Sequence, residues 1–268
     1  MNKKRLYMIS FVALLALMLV VELLNMRFAN DTTEYELIYG IATRGIGAAA
    51  CILMMSYCSF SHLFSSFGKL RDIALILPCC LIAINNFPFI SVISGGAILD
   101  TKWYLILLLA LQCFLVGLFE EAAFRGCVFM LILERKHNSR KEIFYSIILS
   151  SLVFGGIHIV NLLVGAGIVS VVLQLGYSFL IGAMCSVVLL VTKKLWVPIL
   201  IHAIFNFAGG LVPTLGRGEI WDRATVVLTV IVSVAVAIYT VALFFKYDIS
   251  KIQELFPQKT NNSKKNTD

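Results

Sequence analysis

Charged residues are scarce in this sequence. They make up 14% of its 268 residues, whereas a soluble domain of this length carries nearer a quarter. Hydrophobic residues make up 60%, and the mean hydropathy is +0.92. The apolar runs do not alternate with polar residues as the strands of a transmembrane barrel do, and they reach the length of about 20 residues that a membrane-spanning helix needs. The composition therefore excludes a soluble globular protein and predicts a polytopic α-helical membrane protein.

Recognisable metal-binding and redox patterns are absent as well. The seven cysteines all lie in apolar segments, none forms a CxxC pair, and none stands with histidine at zinc-ligand spacing. We therefore expect buried free thiols that pack as small hydrophobic side chains. The HExxH pattern of one large class of zinc proteases does not occur either.

Apolar runs between charged or Gly/Pro-rich breaks predict about eight transmembrane helices. They cover roughly residues 6–28, 37–60, 72–92, 103–133, 143–164, 168–191, 195–212 and 224–246. The first run is too long for the core of a signal peptide, so we expect it to remain as a helix. The predicted fold class is an all-α membrane bundle, with a single embedded domain over residues 1–256 and a polar, disordered tail over residues 257–268.

The distribution of basic residues predicts how this bundle is oriented. Sixteen of the 22 Lys and Arg residues fall on the side of the predicted bundle that holds both termini, and four fall on the other side. Basic residues concentrate on the cytoplasmic side of membrane proteins. We therefore expect both termini in the cytoplasm, and we attribute the net charge of +7 to membrane orientation rather than to nucleic-acid binding.

Charged residues appear abruptly after an uncharged run over residues 103–118. Glu120, Glu121 and Arg125 follow it, although a charge near the bilayer centre costs roughly 2.5–3.5 kcal/mol. Neighbours on a helix point about 100° apart, so the two carboxylates cannot both face one cavity squarely. We expect Glu121 to pair with Arg125 and to leave Glu120 free as a general base. The alternative is a buried ion-pair cluster that only fixes helix packing.

Two further apolar segments carry isolated polar residues. The segment FGGIH ends at His158; its glycines allow close helix approach, and Phe154 lies one turn before the histidine. Asn161, three residues later, is a candidate to orient His158. His202 and Asn206 are four residues apart and project from one helix face, where they suit a developing oxyanion. A packing histidine and an interhelical polar clamp remain the structural alternatives.

We expect these three stretches to meet inside the bundle and to form one hydrolytic site. One glutamate, two histidines and one asparagine are sufficient to activate a water molecule and to stabilise the tetrahedral intermediate of peptide hydrolysis.

The three motifs together resemble the CPBP family of CAAX protease and bacteriocin-processing proteins, also called the Abi or type II CAAX prenyl endopeptidase family. EExxxR at Glu120–Arg125, FxxxH at Phe154–His158 and HxxxN at His202–Asn206 occur in the family's order, within a core of residues 100–210. The resemblance implies an intramembrane endopeptidase. In it, Glu120 and His158 activate water, His202 and Asn206 stabilise the oxyanion, and Glu121 and Arg125 are supporting residues.

The resemblance leaves the cofactor and the substrate open. The family is often described as one of metalloproteases, so a zinc ion held by Glu120, His158 and His202 is an alternative to the metal-free glutamate protease that we expect first. As substrate it implies a small peptide precursor, such as a bacteriocin precursor, or a membrane-anchored CAAX-like protein. The rival functions are a non-catalytic immunity or scaffold protein and, disfavoured by the lack of an inverted repeat, a proton-coupled transporter.

Overall fold

The computed structural model describes residues 3–28, 32–65 and 69–256, and helices dominate it, which confirms the predicted fold class. The helices are α1 (Lys3–Phe28), α2 (Thr33–Tyr57), α3 (Leu70–Asn85), α4 (Phe89–Ile93), α5 (Trp103–Glu121), α6 (Met130–Leu133), α7 (Arg140–Ile157), α8 (Ile168–Thr192), α9 (Trp196–Leu215) and α10 (Arg223–Lys246). A π-helical segment, Ala122–Phe129, joins α5 to α6, and 3₁₀ turns cover Ser61–Phe64, His158–Leu162 and Ile249–Leu255. Two short strands, β1 (Ala97–Leu99) and β2 (Gly216–Gly218), pair antiparallel.

Within the described residues, six helical segments are long and apolar enough to cross a membrane. They are Thr33–Tyr57, Trp103–Leu133, Arg140–Leu162, Ile168–Thr192, Trp196–Leu215 and Arg223–Lys246. The chain is therefore a multi-pass membrane protein. Of the other two predicted spans, residues 6–28 fall within the 26-residue helix α1, whose described apolar stretch is Ile9–Asn25, and α3, with 16 residues, is shorter than the roughly 20 residues of a full span.

The predicted span over residues 72–92 is not one continuous helix. It ends as α3 at Asn85, and a new short helix, α4, starts after Pro88, which has no backbone N–H to continue the first helix. At this break the Asn86 amide donates a hydrogen bond of 2.8 Å to the Phe205 carbonyl of α9. Asn86 thus satisfies a backbone group of the helix that carries His202, as polar residues at helix breaks within membranes do. The predicted tail over residues 257–268 lies outside the described residues.

The loops that the charge pattern assigns to one side do meet at one end of the bundle. His62 donates from Nε2 to the Leu255 carbonyl at 3.1 Å, Arg140 donates to the Phe244 carbonyl at 2.6 Å, and Lys194 donates to Ser65 at 3.4 Å. We call this the basic end; its described Lys and Arg residues are Lys69, Arg71, Arg135, Lys136, Arg140, Lys141, Lys193, Lys194, Lys246 and Lys251. The β1–β2 pair and the 2.5 Å hydrogen bond from Ser91 to Asp222 lie at the other end, called the opposite end.

Close helix packing brings the polar segments together. α5 packs on α9 and α2, and α7 packs on α8. At Gly117 a Cβ atom would lie 2.9 Å from the Ile199 carbonyl of α9, and at Gly155 a Cβ would lie 3.0 Å from the Leu175 carbonyl of α8, so both positions require glycine for this approach. The prediction that both glycines before His158 serve close packing is wrong for Gly156, because the space beside it is open. The seven cysteines are free thiols, as predicted, but only five are buried; Cys58 and Cys80 are partly exposed.

Candidate active site

His202 lies between the two adjacent carboxylates. Its Nδ1–H donates a hydrogen bond of 2.8 Å to Glu121 Oε1, and its Nε2 lies 3.5 Å from Glu120 Oε2. The side chain of Glu121 is fully buried, whereas that of Glu120 keeps 20% of its surface exposed. The bond to Glu121 fixes the orientation of the ring and leaves Nε2 for chemistry on the side of Glu120. The sequence placed these residues in one site but did not predict that a histidine would contact both glutamates.

The ion pair between Glu121 and Arg125 is present, as their spacing predicts. Arg125 Nη1 lies 2.9 Å from Glu121 Oε1, and the exposed fractions of the two side chains are 2% and 0%. The N–H groups of Arg125 are not aligned with Glu121 for a hydrogen bond. No hydrogen-bond partner is found among the described residues for Glu121 Oε2 or for either Nη atom of Arg125. The guanidinium instead lies over the ring of Phe154, 4.2 Å from its centroid, so a cation–π contact supplements the ion pair.

Phe154 occupies the centre of the cluster. Its ring meets the rings of His158 and His202 edge to face, with centroids 5.3 and 5.9 Å apart. Gly182 on α8 makes room for this arrangement, because a Cβ there would lie 3.1 Å from the Phe154 ring and 3.2 Å from Arg125 Nη2. One aromatic ring therefore positions both histidines and the buried arginine, and this is a physical reason for an aromatic residue one turn before His158.

His158 is oriented by a backbone carbonyl and not by Asn161. α7 ends at Ile157, and His158 begins a 3₁₀ turn from which its Nδ1–H donates a 2.9 Å hydrogen bond to the Phe154 carbonyl. Asn161 instead donates to the side chain of Gln174 on α8 at 2.7 Å, so the predicted role of Asn161 is wrong. In neutral His158, Nε2 is then the proton acceptor.

The helix that carries the two glutamates changes its geometry immediately after them. Residues Ala122–Phe129 form a π-helix, and all of them except Val128 are buried. Short π-helical segments occur often at functional sites. Because the segment begins one residue after Glu121, it determines how Arg125 is placed against Phe154. No pattern in the sequence indicated it.

A cavity of about 310 Å³ joins the predicted residues. Glu120, His158, His202 and Asn206 all line it, and Asn206 lies one turn after His202 on α9. Five further polar residues, none of them among the predicted site residues, also line it; they are Gln112, Gln174, Tyr177, Ser178 and Thr214. Their signal in the sequence is a polar residue within a long apolar run. For Gln174 such a position predicts an interhelical hydrogen bond, and the bond that it accepts from Asn161 confirms this.

The residues of the alternative zinc site do not form a compact ligand set. Within the described residues, no group of three or more His, Cys, Asp and Glu side chains is arranged to hold a metal ion. Both nitrogens of His202 already face carboxylates, and His158 makes no ion pair with Glu120 among the described contacts. The arrangement does not fit three-ligand zinc coordination, so we derive no step through a metal ion.

Comparison with known proteins gives one match, and its range includes the candidate site. Residues 102–208 match the family model described as type II CAAX prenyl endopeptidase Rce1-like, and this range contains all four cavity-lining candidates. No curated protein and no solved structure matches the chain. The matched family is one of proteases, so the match supports a CAAX-type intramembrane protease in general terms. Residues 102–208 of this multi-pass membrane protein are thus similar to the type II CAAX prenyl endopeptidase family, and the three sequence motifs that resemble CAAX proteases lie within that range.

Proposed function

We propose that the chain is an intramembrane endopeptidase that cleaves a small peptide precursor or a membrane-anchored protein with water activated by Glu120 and His158. The observation that carries the proposal is the position of His202 between Glu120 and Glu121 at a polar cavity inside a helical bundle. Three side chains that can exchange protons and one hydrogen-bonding amide converge there. Packing against lipid does not explain the free-energy cost of placing them inside an apolar bundle.

In the proposed reaction, Glu120 accepts a proton from water as the water oxygen attacks the carbonyl carbon of the scissile bond. His158 assists as an acceptor, because its Nδ1–H is engaged by Phe154 and its Nε2 is left to the water. The negative charge that develops on the carbonyl oxygen is stabilised by His202 and Asn206. The C–N bond then breaks, and Glu120 returns the proton to the departing amine.

Glu121 and Arg125 have a positioning role in this scheme. Glu121 accepts a hydrogen bond from the Nδ1–H of His202 and so directs Nε2 toward the reacting oxygen. Arg125 balances the charge of the buried carboxylate. Because Nδ1–H is engaged by Glu121, His202 donates to the oxyanion in the form that also carries a proton on Nε2. The reaction needs no metal ion. We further propose that both termini are cytoplasmic, because the charge pattern assigns sixteen of the 22 Lys and Arg residues to the side that holds them.

The proposal is tested by cleavage of a lipidated CAAX-type reporter and a leader-peptide reporter with purified protein in detergent. Wild-type protein is compared with Glu120→Ala and His202→Ala, each with and without a chelator. Glu219→Gln, an exposed glutamate at the opposite end, serves as the control substitution. Cleavage by wild type and the control, lost in both site variants and unaffected by chelator, is the expected result.

Other outcomes discriminate between the rival functions. Loss of cleavage with chelator that zinc restores would contradict the metal-free mechanism but not the protease. Absence of cleavage by wild type, together with partner binding or immunity that persists in both site variants, would favour a non-catalytic immunity or scaffold protein. A solute flux in vesicles that depends on Glu120 would favour a transporter.

A further inference from the structure

The cavity extends from Glu120 in one direction only. On α5 its lining residues run from Glu120 back to Leu109, toward the start of the helix, and on α9 they run from His202 forward to Thr214, toward its end. The start of α5 and the end of α9 are joined to the paired strands β1 and β2. The cavity therefore extends from the candidate catalytic residues toward the opposite end and away from the basic end.

The side chains toward the basic end are closely packed. Between the site and the loops of that end, α6, α8, α9 and the π-helical segment contribute a layer of fully buried apolar side chains. We call it the sealing layer; it consists of Phe129, Met130, Leu133, Val188, Leu189, Leu195 and Ile199. In the part of the chain that the structure describes, a polypeptide cannot pass this layer without displacing tightly packed side chains.

Exposure increases in the other direction. The side chain of His202 is 6% exposed and that of Glu120 is 20% exposed. Further along the cavity, Tyr177 on α8 is 45% exposed, and Thr214 at the end of α9 is also exposed. Polar groups, including Gln112, Gln174 and Asn206, line this path beside apolar side chains such as Leu109 and Val116. The path therefore offers hydrogen-bonding partners to water and to the backbone of an extended peptide.

We propose that the substrate reaches Glu120 from the opposite end of the bundle, which is the extracytoplasmic side if the basic end is cytoplasmic. The substrate class is then a peptide segment presented on that side: a translocated peptide precursor, or the outer juxtamembrane segment of a membrane-anchored protein. A cytoplasmic carboxyl-terminal tail would meet the sealing layer first. The inference rests on the proteolytic function proposed above, but the direction of the cavity can be tested without any cleavage.

The test uses single cysteines and a membrane-impermeant methanethiosulfonate reagent, applied to intact cells and to inverted membrane vesicles. All variants carry Cys113→Ala, because Cys113 is the native thiol that lines the cavity, and the parent with this change alone gives the background from the other native cysteines. Glu219→Cys and Lys136→Cys mark the opposite and basic ends. Val116→Cys probes the cavity one turn before Glu120, and Val188→Cys probes the sealing layer.

We expect Val116→Cys to be modified from the same side as Glu219→Cys and protected from the side that modifies Lys136→Cys. Val188→Cys is expected to stay at background from both sides. Modification of Val116→Cys only from the side of Lys136→Cys, or from neither side, would overturn the proposal. Modification of Glu219→Cys from the cytoplasm would overturn the assignment of the opposite end to the extracytoplasmic side.

A second measurement tests whether the direction in which the cavity opens is also the direction from which a substrate is cleaved. Reporters are built with the same cleavable segment on one or the other side of a membrane anchor and are expressed with the wild-type protein. We expect cleavage of the reporter with an extracytoplasmic segment, and cleavage of the cytoplasmic version alone would contradict the inference. If neither reporter is cleaved while Val116→Cys is still modified from the side of Glu219→Cys, the proteolytic function fails and the direction of the cavity stands.

Discussion

Replacement of Glu121 by glutamine tests the arrangement of buried charges most directly. The change keeps the shape of the side chain and removes its charge, so Arg125, whose side chain is 2% exposed, loses the carboxylate that lies 2.9 Å away. Breaking a buried ion pair by removing one partner typically costs about 3–5 kcal/mol, because the remaining charge is left without compensation. At roughly 2–4 °C per kcal/mol for a chain of this size, the melting temperature should fall by about 6–20 °C.

Removal of both charges should reverse most of this loss. In the double variant Glu121→Gln/Arg125→Met no uncompensated charge remains, and an apolar side chain of similar length lies on the Phe154 ring. Replacement of a whole buried ion pair by apolar groups is often neutral for stability. The single variant Arg125→Met should be intermediate, because Glu121 keeps its hydrogen bond from His202.

The measurements are thermal unfolding of the purified protein in detergent and cleavage of the reporter at a temperature at which all variants are folded. Glu254→Gln is the matched control: it makes the same chemical change in an ion pair with Lys193 at the exposed surface of the basic end, where little effect is expected. The expected pattern is a double variant with a melting temperature near that of the wild type but with reduced cleavage, because His202 has lost the carboxylate that orients it. A Glu121→Gln variant that melts at the wild-type temperature would refute the argument from buried charge. A double variant that is both stable and fully active would refute the positioning role of Glu121.

Three further predictions follow from the geometry. Gly182→Ala should lower both the melting temperature and the cleavage rate, because the added Cβ would press on Phe154 and Arg125. Gly176→Ala, on the same helix but beside open space, should change neither. Asn206→Ala should lower kcat by about 10²–10³-fold with a smaller change in KM, since oxyanion stabilisation acts in the transition state; an unchanged kcat would remove Asn206 from the mechanism. Hydrogen bonds, led by one from Ser91, hold the pKa of Asp222 well below its usual range, so its contribution to stability is present at neutral pH and is lost as the pH falls below about 4. Unfolding measured against pH should show this acid-dependent loss in the wild type and a smaller one in Asp222→Ala.

The sequence predicts the helices well wherever apolar residues form one uninterrupted run. The predicted spans 103–133, 168–191 and 224–246 agree with the structure within one residue at each end. Hydropathy works here because every backbone group of a membrane-crossing segment must be satisfied within the helix. It fails at Pro88, where Asn86 compensates for the break by a hydrogen bond to α9, a contact between segments 119 residues apart.

The candidate site was predicted by residue type but not by contact. Isolated Glu, His and Asn residues in apolar runs are conspicuous, and all four predicted catalytic residues line one cavity. Whether they act as predicted stays a prediction. The helical spacing also indicated the pairing of Glu121 with Arg125. Spacing on one helix carries no information about the rotation of another, so the contact of His202 with both glutamates, and the partner of Asn161, could not be derived from it.

The direction of the cavity shows most clearly what periodicity and charge counting omit. Charge counting assigns loops to sides, and the structure brings those loops together at the basic end. Leu109 lines the cavity and Leu133 belongs to the sealing layer, yet both are buried leucines on one continuous helical segment and are equivalent in a hydropathy pattern. What distinguishes them is whether the facing helices fill the space beside them, which depends on side-chain packing in three dimensions. Our proposal for the side of the membrane from which a substrate reaches Glu120 therefore needs both the charge pattern and the packing, since neither alone connects the cavity to a side.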